Sequence, residues 1–112
     1  GPALWEQVRR QAVDFLDGLD QEGAFVGRSA DESFFVICDE RINDVTDQAR
    51  SRFRLLFGFA GARPGDFHAF LLTHQPGGSR VRPVSVNRLA TSGARVEEEI
   101  ETGILRGLNV EH

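Results

Sequence analysis

The sequence predicts an α+β fold in which an amphipathic N-terminal helix packs on a small, mainly antiparallel sheet, followed by an extended arm and a C-terminal helix. Three observations support this. Apolar residues recur at helical spacing near the N-terminus, two alternating runs flank a short Gly/Pro loop between residues 53 and 74, and composition breaks sharply at residues 75–79. A chain of 112 residues has room for one domain with a modest core.

The first helix is predicted from an apolar stripe at three- and four-residue spacing, with charged residues between its members. Gly23 is expected to end it, because glycine readily adopts the left-handed conformation at a helix C-terminus. Such a polar face is most often only solvated surface. The stripe consists of Leu4, Trp5, Val8, Ala12, Phe15, Leu16 and Leu19, and the polar face carries Arg9, Arg10, Asp14 and Asp17.

Three strands are predicted next. Residues 34–38 form a short apolar run typical of a strand buried on both faces, and the capping-box spacing of Ser29 and Glu32 allows one helical turn before it. Polar residues 39–45 and a short helix at 46–50 reverse the chain. Residues 52–60 and 67–74 then alternate around a hairpin loop, and one face of the first run is expected under the helix: Phe53, Leu55, Phe57 and Phe59.

The chain beyond the hairpin divides into two predicted segments. Pro83 limits residues 76–91 to an edge strand or an extended arm, because proline cannot donate a ladder hydrogen bond. Residues 92–110 are predicted as a helix with an apolar stripe at Val96, Ile100, Ile104 and Leu108. Gly103 and Gly107 weaken that helix, so we expect a partner surface to stabilise it. The resulting domain division is 3–75, 76–91 and 92–110, with Gly1-Pro2 left out as typical of a cleaved tag.

Charge is distributed unevenly along the second half of the sequence. Residues 76–95 contain four arginines and no acid, whereas residues 96–112 contain five glutamates and one arginine. A basic segment without opposing acid can steer an acidic partner without specifying it. The formal net charge of −4 argues against nucleic acid as a partner, and no stretch is apolar enough to cross a membrane. A single cysteine and no signal peptide favour a reducing, cytoplasmic origin.

No residue pattern in the sequence indicates catalysis, a cofactor or a metal ion. Cys38 ends an apolar run and is expected to be buried and inert. His68 and His74 fall on one strand face, but no close ligand pair accompanies them. The acids between residues 39 and 47 lack the glycine and terminal glutamate of a calcium loop, so they predict a solvated turn. We therefore expect a protein that is not an enzyme.

Several motifs occur together in a fixed order. An opening Leu-Trp lies in the first helix, Phe-Leu-x-Gly-Leu follows at residues 15–19, and Gly-Ala-Phe at 23–25. Glu-x-Phe-Phe-Val-x-Cys-Asp at 32–39 then precedes an Arg-Pro-x-x-Phe hairpin at 63–67. In this order and spacing the chain resembles the C-terminal domain of contractile phage-tail sheath proteins, which also occurs in related contractile injection systems.

The resemblance implies a structural, self-assembling subunit that packs on an inner tail tube and joins neighbouring subunits by strand addition. It implies sheath subunits in rings or a helical tube and the inner tube protein as partners, with neither nucleic acid nor membrane. The implied location is the cytoplasm during assembly and then the tail of a virion or phage-tail-like particle. Arg9, Arg10, Asp14 and Asp17 would face the tube. Neighbouring subunits would contact Arg80, Val81, Arg82, Val84, Val86, Ile100 and Ile104.

An alternative function stays open at this point. Sheath chains of this kind usually end soon after the last strand, whereas about 38 residues follow His74 here. A sheath-like tail terminator, cap or adaptor that binds one end of a tube without polymerising is therefore the alternative. In that protein the terminal helix would fold back over its own sheet.

Overall fold

The computed structural model describes residues 1–85. They form a helix, a four-stranded antiparallel sheet and two short helices, which confirms the α+β prediction. The elements in chain order are α1 (Pro2–Gln21), α2 (Ala30–Ser33), β1 (Phe34–Ile37), α3 (Val45–Ala49), β2 (Phe53–Ala60), β3 (Phe67–Gln75) and β4 (Gly78–Val84). The three predicted strands match β1, β2 and β3 to within a residue or two.

The sheet is a simple meander in which sequence neighbours pair in the order β1-β2-β3-β4. Leu55 lies opposite Leu72, and Leu72 lies opposite Val81. The turn between β3 and β4 is short, and Gly77 adopts φ 98°, a conformation that favours glycine. Residues 78–84 are thus an edge strand of the chain's own sheet. The domain boundary predicted after residue 75 falls inside this hairpin, because β4 forms a full ladder with β3.

Helix α1 covers one face of the sheet, as predicted for the Phe-rich side of β2. Trp5 of α1 is 5% exposed and forms a buried cluster with Cys38 and Leu55. Val8, Ala12, Val36, Phe53, Phe57 and Leu72 pack against this cluster. Phe59, at the far end of the strand, stacks instead on Phe25 in the segment that follows α1. Burying a large apolar side chain of this kind contributes about 1.5–3 kcal/mol.

The opposite face of the sheet also carries a core, as the prediction of a strand buried on both faces at residues 34–38 implies, although the patterns of the other strands did not indicate it. Six residues from all four strands and the β1–α3 loop form it, namely Ile37, Ile42, Leu56, Ala69, Leu71 and Val84. Leu56 is completely buried. Phe35 packs against this cluster, and its ring lies across the backbone of Gly58 on the neighbouring strand. Glycine is needed there because a β-carbon would overlap the Phe35 ring.

Candidate functional site

Strand β4 holds four of the predicted subunit-interface residues, and the pleat divides them between the two faces of the sheet. Arg80, Arg82 and Val84 lie opposite Thr73, Leu71 and Ala69 of β3, on the face remote from α1. Val81 lies opposite Leu72, on the α1 side. Val86, Ile100 and Ile104 lie outside the described residues. The predicted interface is therefore one strand with two chemically different faces.

The outer edge of β4 is one of the two ends of the sheet formed by residues 1–85. Every residue from Gly78 to Pro83 is exposed, and only Val84 is buried. Proline is tolerated in an edge strand where its nitrogen faces away from the neighbouring strand. Pro83 is such a case, and Val81 shares its orientation because strand geometry repeats every two residues. The backbone N–H of Val81 consequently points outward, where an added strand would pair.

The predicted tube-facing residues of α1 form a charged outer surface with internal ion pairs. Arg9 binds both carboxylate oxygens of Glu6, at 3.0 and 2.7 Å, and Arg10 lies 3.6 Å from the same carboxylate. The hydrogen bond from Arg9 lowers the pKa of Glu6. Asp17 accepts a 2.8 Å hydrogen bond from Gln21.

Arg10 and Asp14 line one shallow depression on α1, whereas Arg9 and Asp17 are half-buried. The depression also contains Glu6 and Gln11. The structure therefore brings together only part of the predicted set, and Arg10 and Asp14 are its accessible members.

Large apolar side chains are exposed both on α1 and on β4, and no sequence pattern predicts their exposure. Leu4 and Phe15, which are 45% and 67% exposed, lie roughly three helical turns apart on one side of α1. Val81 is 57% exposed on the edge strand. Half-buried rings on the Phe57 face of the sheet form a stacked series with centroids 5.2–5.8 Å apart, and its members are Phe25, Phe59, Phe70 and Phe57. The alternation of Phe residues in β2 was the available signal for this series.

Arginine side chains converge on the other face of the sheet. Arg54 of β2 and Arg80 of β4 both flank Thr73 of β3, so the three form one row across adjacent strands. Arg82 lies two residues further along β4, and a groove runs between these side chains over Leu71. No acidic residue lines the groove. We call Arg54, Arg80 and Arg82 the arginine patch.

Asp47 of α3 is the anchor of the chain reversal before β2, and the prediction of a solvated turn was wrong for it. Its side chain is buried and accepts hydrogen bonds from Arg52 Nε at 2.6 Å and from Arg54 Nη1 at 2.8 and 3.0 Å. It also accepts one from the Asp44 backbone at 2.9 Å, as part of a capping box. Burial opposes ionisation, yet these bonds and the arginine charges lower the pKa of Asp47.

Asn43 reinforces the same reversal. Its side-chain oxygen accepts a 2.6 Å hydrogen bond from the Arg54 backbone N–H, and its side-chain nitrogen donates a 3.0 Å hydrogen bond to the Arg54 carbonyl oxygen. These bonds extend the pairing of the β1 end with β2. Asp39 binds the Arg41 guanidinium, with the shortest contact at 2.6 Å. These polar groups stabilise the fold and present no free reactive atom to a substrate.

The cysteine and two of the histidines are enclosed or paired within the sheet region. Cys38 is buried, as predicted, and burial together with the Asp39 charge raises the pKa of its thiol to about 11. His74 Nδ1 lies 2.6 Å from Ser79 Oγ across the β3–β4 ladder, and His68 packs near Phe59. Among residues 1–85 no three His, Cys, Asp or Glu side chains are placed to hold a metal ion. Within that same range no helix has the length and apolarity to span a membrane.

Comparison with known proteins adds no relative to this description. No family model matches the chain, and neither the curated proteins nor the solved structures include a significant match.

Proposed function

We propose that the chain is a structural, self-assembling component of a contractile tail sheath, in a phage tail or a phage-tail-like injection system. It binds neighbouring sheath subunits by strand addition and packs on the inner tube. The ordered motif series in residues 4–67 motivates the proposal. The observation that carries it is the exposed outer edge of β4, which has no neighbouring strand among residues 1–85 and bears the exposed side chain of Val81.

Strand addition suits this edge for a physical reason. Main-chain hydrogen bonds supply affinity, and side chains alternating along the strand supply specificity. An added strand would lie beside Val81 on the α1 side and beside Arg80 and Arg82 of the arginine patch on the other side. One incoming strand would thus meet an apolar row on one face and a basic row on the other.

Packing on the tube is assigned to the charged outer surface of α1. Arg10 and Asp14 are exposed there, and the Glu6 carboxylate between Arg9 and Arg10 fixes the local charge pattern. A surface of mixed charge contributes register and orientation more than affinity. In this proposal the protein is not an enzyme, and it uses no cofactor.

A second candidate is a non-polymerising terminator, cap or adaptor. One observation favours it, since the outer edge of β3 is already paired with β4 of the same chain. The segment that would serve as an exchangeable arm in a sheath is therefore held in the sheet of its own chain over residues 78–84. Electron microscopy of the purified chain separates the two candidates, because a sheath forms tubes or stacked rings and a cap gives monomers or one discrete ring.

A proline at position 81 tests the edge directly. Val81→Pro removes the outward N–H and places a ring where the added strand would lie, while Pro83 shows that the same orientation tolerates proline. We expect this variant to fold and to lose tubes and rings in negative-stain images.

Val81→Thr is the matched control, because it alters the side chain and keeps the backbone donor. Under strand addition this control still assembles. Unchanged assembly of the folded Val81→Pro variant would contradict a role for the β4 edge.

A further inference from the structure

The arginine patch carries positive charge that the described residues leave largely unbalanced. Asp47 is the acid bound to Arg54, but its one negative charge is shared with Arg52. Arg80 and Arg82 lie on the exposed part of β4, and the groove between the patch residues contains no carboxylate. Several like charges across neighbouring strands repel one another, so an acidic ligand is favoured there.

The sequence of this chain contains a ligand of that chemistry. Glu97, Glu98, Glu99 and Glu101 form the densest run of acids in the protein, and no Asp or Glu occurs between Asp66 and Glu97. Ile100 lies among these acids, as Leu71 lies among the arginines at the floor of the groove. Guanidinium groups bind carboxylates through paired, charge-assisted hydrogen bonds.

We propose that, in the unassembled subunit, residues 97–101 bind the arginine patch of the same molecule. The carboxylates would pair with Arg54, Arg80 and Arg82, and Ile100 would contact Leu71. This intramolecular contact goes beyond the sheath proposal and holds whether or not the chain polymerises. It would keep the acidic segment on the subunit's own sheet until a neighbour competes for the patch.

The length of the intervening chain favours the same molecule over a second copy. Residues 86–96 separate Ser85 from the acids and span up to ~36 Å when extended. Arg80 lies only about 13 Å back along β4 from Val84 at a strand rise of ~3.3 Å per residue. A tether with this slack gives an effective concentration in the millimolar range, above that of a second copy in dilute solution.

Paramagnetic relaxation measures the contact in the full chain. A nitroxide is attached at Gly103→Cys, next to the acidic segment, and amide signals of the ¹⁵N-labelled protein are recorded. Cys38 is buried, so the added thiol is the reactive one. We expect Thr73, Arg80 and Arg82 to lose more than about half of their signal, since a nitroxide acts over distances comparable to this groove and its flanks.

Arg80→Gln with Arg82→Gln should lower the equilibrium constant for docking by about three- to tenfold, as expected for losing two surface charge pairs. The matched control is Arg28→Gln with Arg63→Gln, which makes the same charge change at two exposed loop positions and should leave the effect intact. Raising salt from about 0.02 M to about 0.5 M should weaken the contact, because screening shortens the range of charge attraction.

Charge reversal on both sides of the contact distinguishes a loss of charge pairing from a disturbance of the β4 structure. Arg80→Glu with Arg82→Glu should abolish the signal loss, and adding lysines at positions 97, 98, 99 and 101 should restore it. A sample mixing ¹⁵N-labelled protein without nitroxide and unlabelled protein with nitroxide reports contacts between copies. Three results would overturn the proposal. The first is no signal loss at the patch, and the second is a signal loss in the mixed sample equal to that of protein carrying both nitroxide and ¹⁵N in one molecule. The third is a signal loss that the patch substitutions do not change. All three readouts are independent of polymer formation.

Discussion

Replacing Asp47 by alanine tests whether one buried carboxylate holds the reversal between β1 and β2. The substitution removes the acceptor shared by Arg52 and Arg54. It also removes one half of the α3 capping box, the hydrogen bond from the Asp44 backbone N–H to the Asp47 side chain. It also leaves two guanidinium groups next to a buried site with no opposing charge. Asp47→Asn is the isosteric companion, because it keeps the side-chain volume and one oxygen for the Asp44 N–H while it removes the charge.

The magnitude follows from burial. Removing one partner of a buried ion pair costs about 3–5 kcal/mol. The N-cap hydrogen bond from the Asp47 N–H to Asp44 Oδ1 survives the substitution, so no loss of the helix cap is added. The Asp47 side chain is 1% exposed, but those of Arg52 and Arg54 are 18% and 27% exposed and regain some hydration. We therefore expect the free energy of unfolding to fall by about 3 kcal/mol in Asp47→Ala and by about 2 kcal/mol in Asp47→Asn. The total stability of a domain is about 5–15 kcal/mol.

Urea unfolding followed by Trp5 fluorescence measures this loss. Trp5 is the single tryptophan and lies buried between α1 and the sheet, so its emission reports the packing of the helix. With a slope of about 2 kcal/mol/M, the Asp47→Ala midpoint should fall by about 1.5 M. The exposed Asp14→Ala serves as control and should stay within about 0.5 kcal/mol of the parent. A loss below about 1 kcal/mol for Asp47→Ala would refute the anchoring role.

Three further predictions use the same unfolding assay or a thiol titration. Because the pKa of Asp47 is lower folded than unfolded, its contribution is present above the unfolded value of about 3.9 and lost as pH falls through the folded value. Stability of the parent should therefore decline below about pH 4 more steeply than that of Asp47→Asn, and parallel curves would contradict this. Gly58→Ala should lower the free energy of unfolding by about 1–3 kcal/mol, because the added β-carbon would overlap the Phe35 ring and lie 3.0 Å from the His68 carbonyl oxygen. Gly18→Ala, with nothing within 4 Å, is its control and should stabilise α1 by about 0.5–1 kcal/mol. Cys38, with a pKa of about 11 and 1% exposure, should react with a disulfide reagent at pH 8 only after unfolding, and rapid reaction of the native protein would contradict its burial.

Local patterns in the sequence predicted most of the secondary structure. Helix α1 followed from the recurrence of Trp5 and Leu16 at helical spacing, and the β2–β3 hairpin from alternation on both sides of a Gly/Pro loop. The burial of Cys38 followed from its place at the end of an apolar run. These features depend on residues close together in the chain, where periodicity is a direct signal of the buried face.

The candidate surfaces were predicted less well, because they join residues from separate elements. Arg80 and Arg82 were expected in an interface, but their alignment with Arg54 depends on the register of three strands. Leu4, Phe15 and Val81 are exposed because α1 covers only part of one sheet face. Arg9 and Asp17 were grouped with exposed residues of α1, yet the helix orientation half-buries them.

By itself, the sequence determined which segments are helical or extended and which of their faces are apolar, since both follow from side-chain periodicity. The tertiary structure alone decided that residues 78–84 pair with β3 instead of extending as an arm, that Leu56, Leu71 and Val84 meet in a second core, and that Asp47 is a buried anchor. Each of those outcomes depends on contacts between elements. Whether a Pro-containing segment pairs, or a carboxylate is desolvated, is decided by the neighbours that the register brings to it, and no local pattern encodes them.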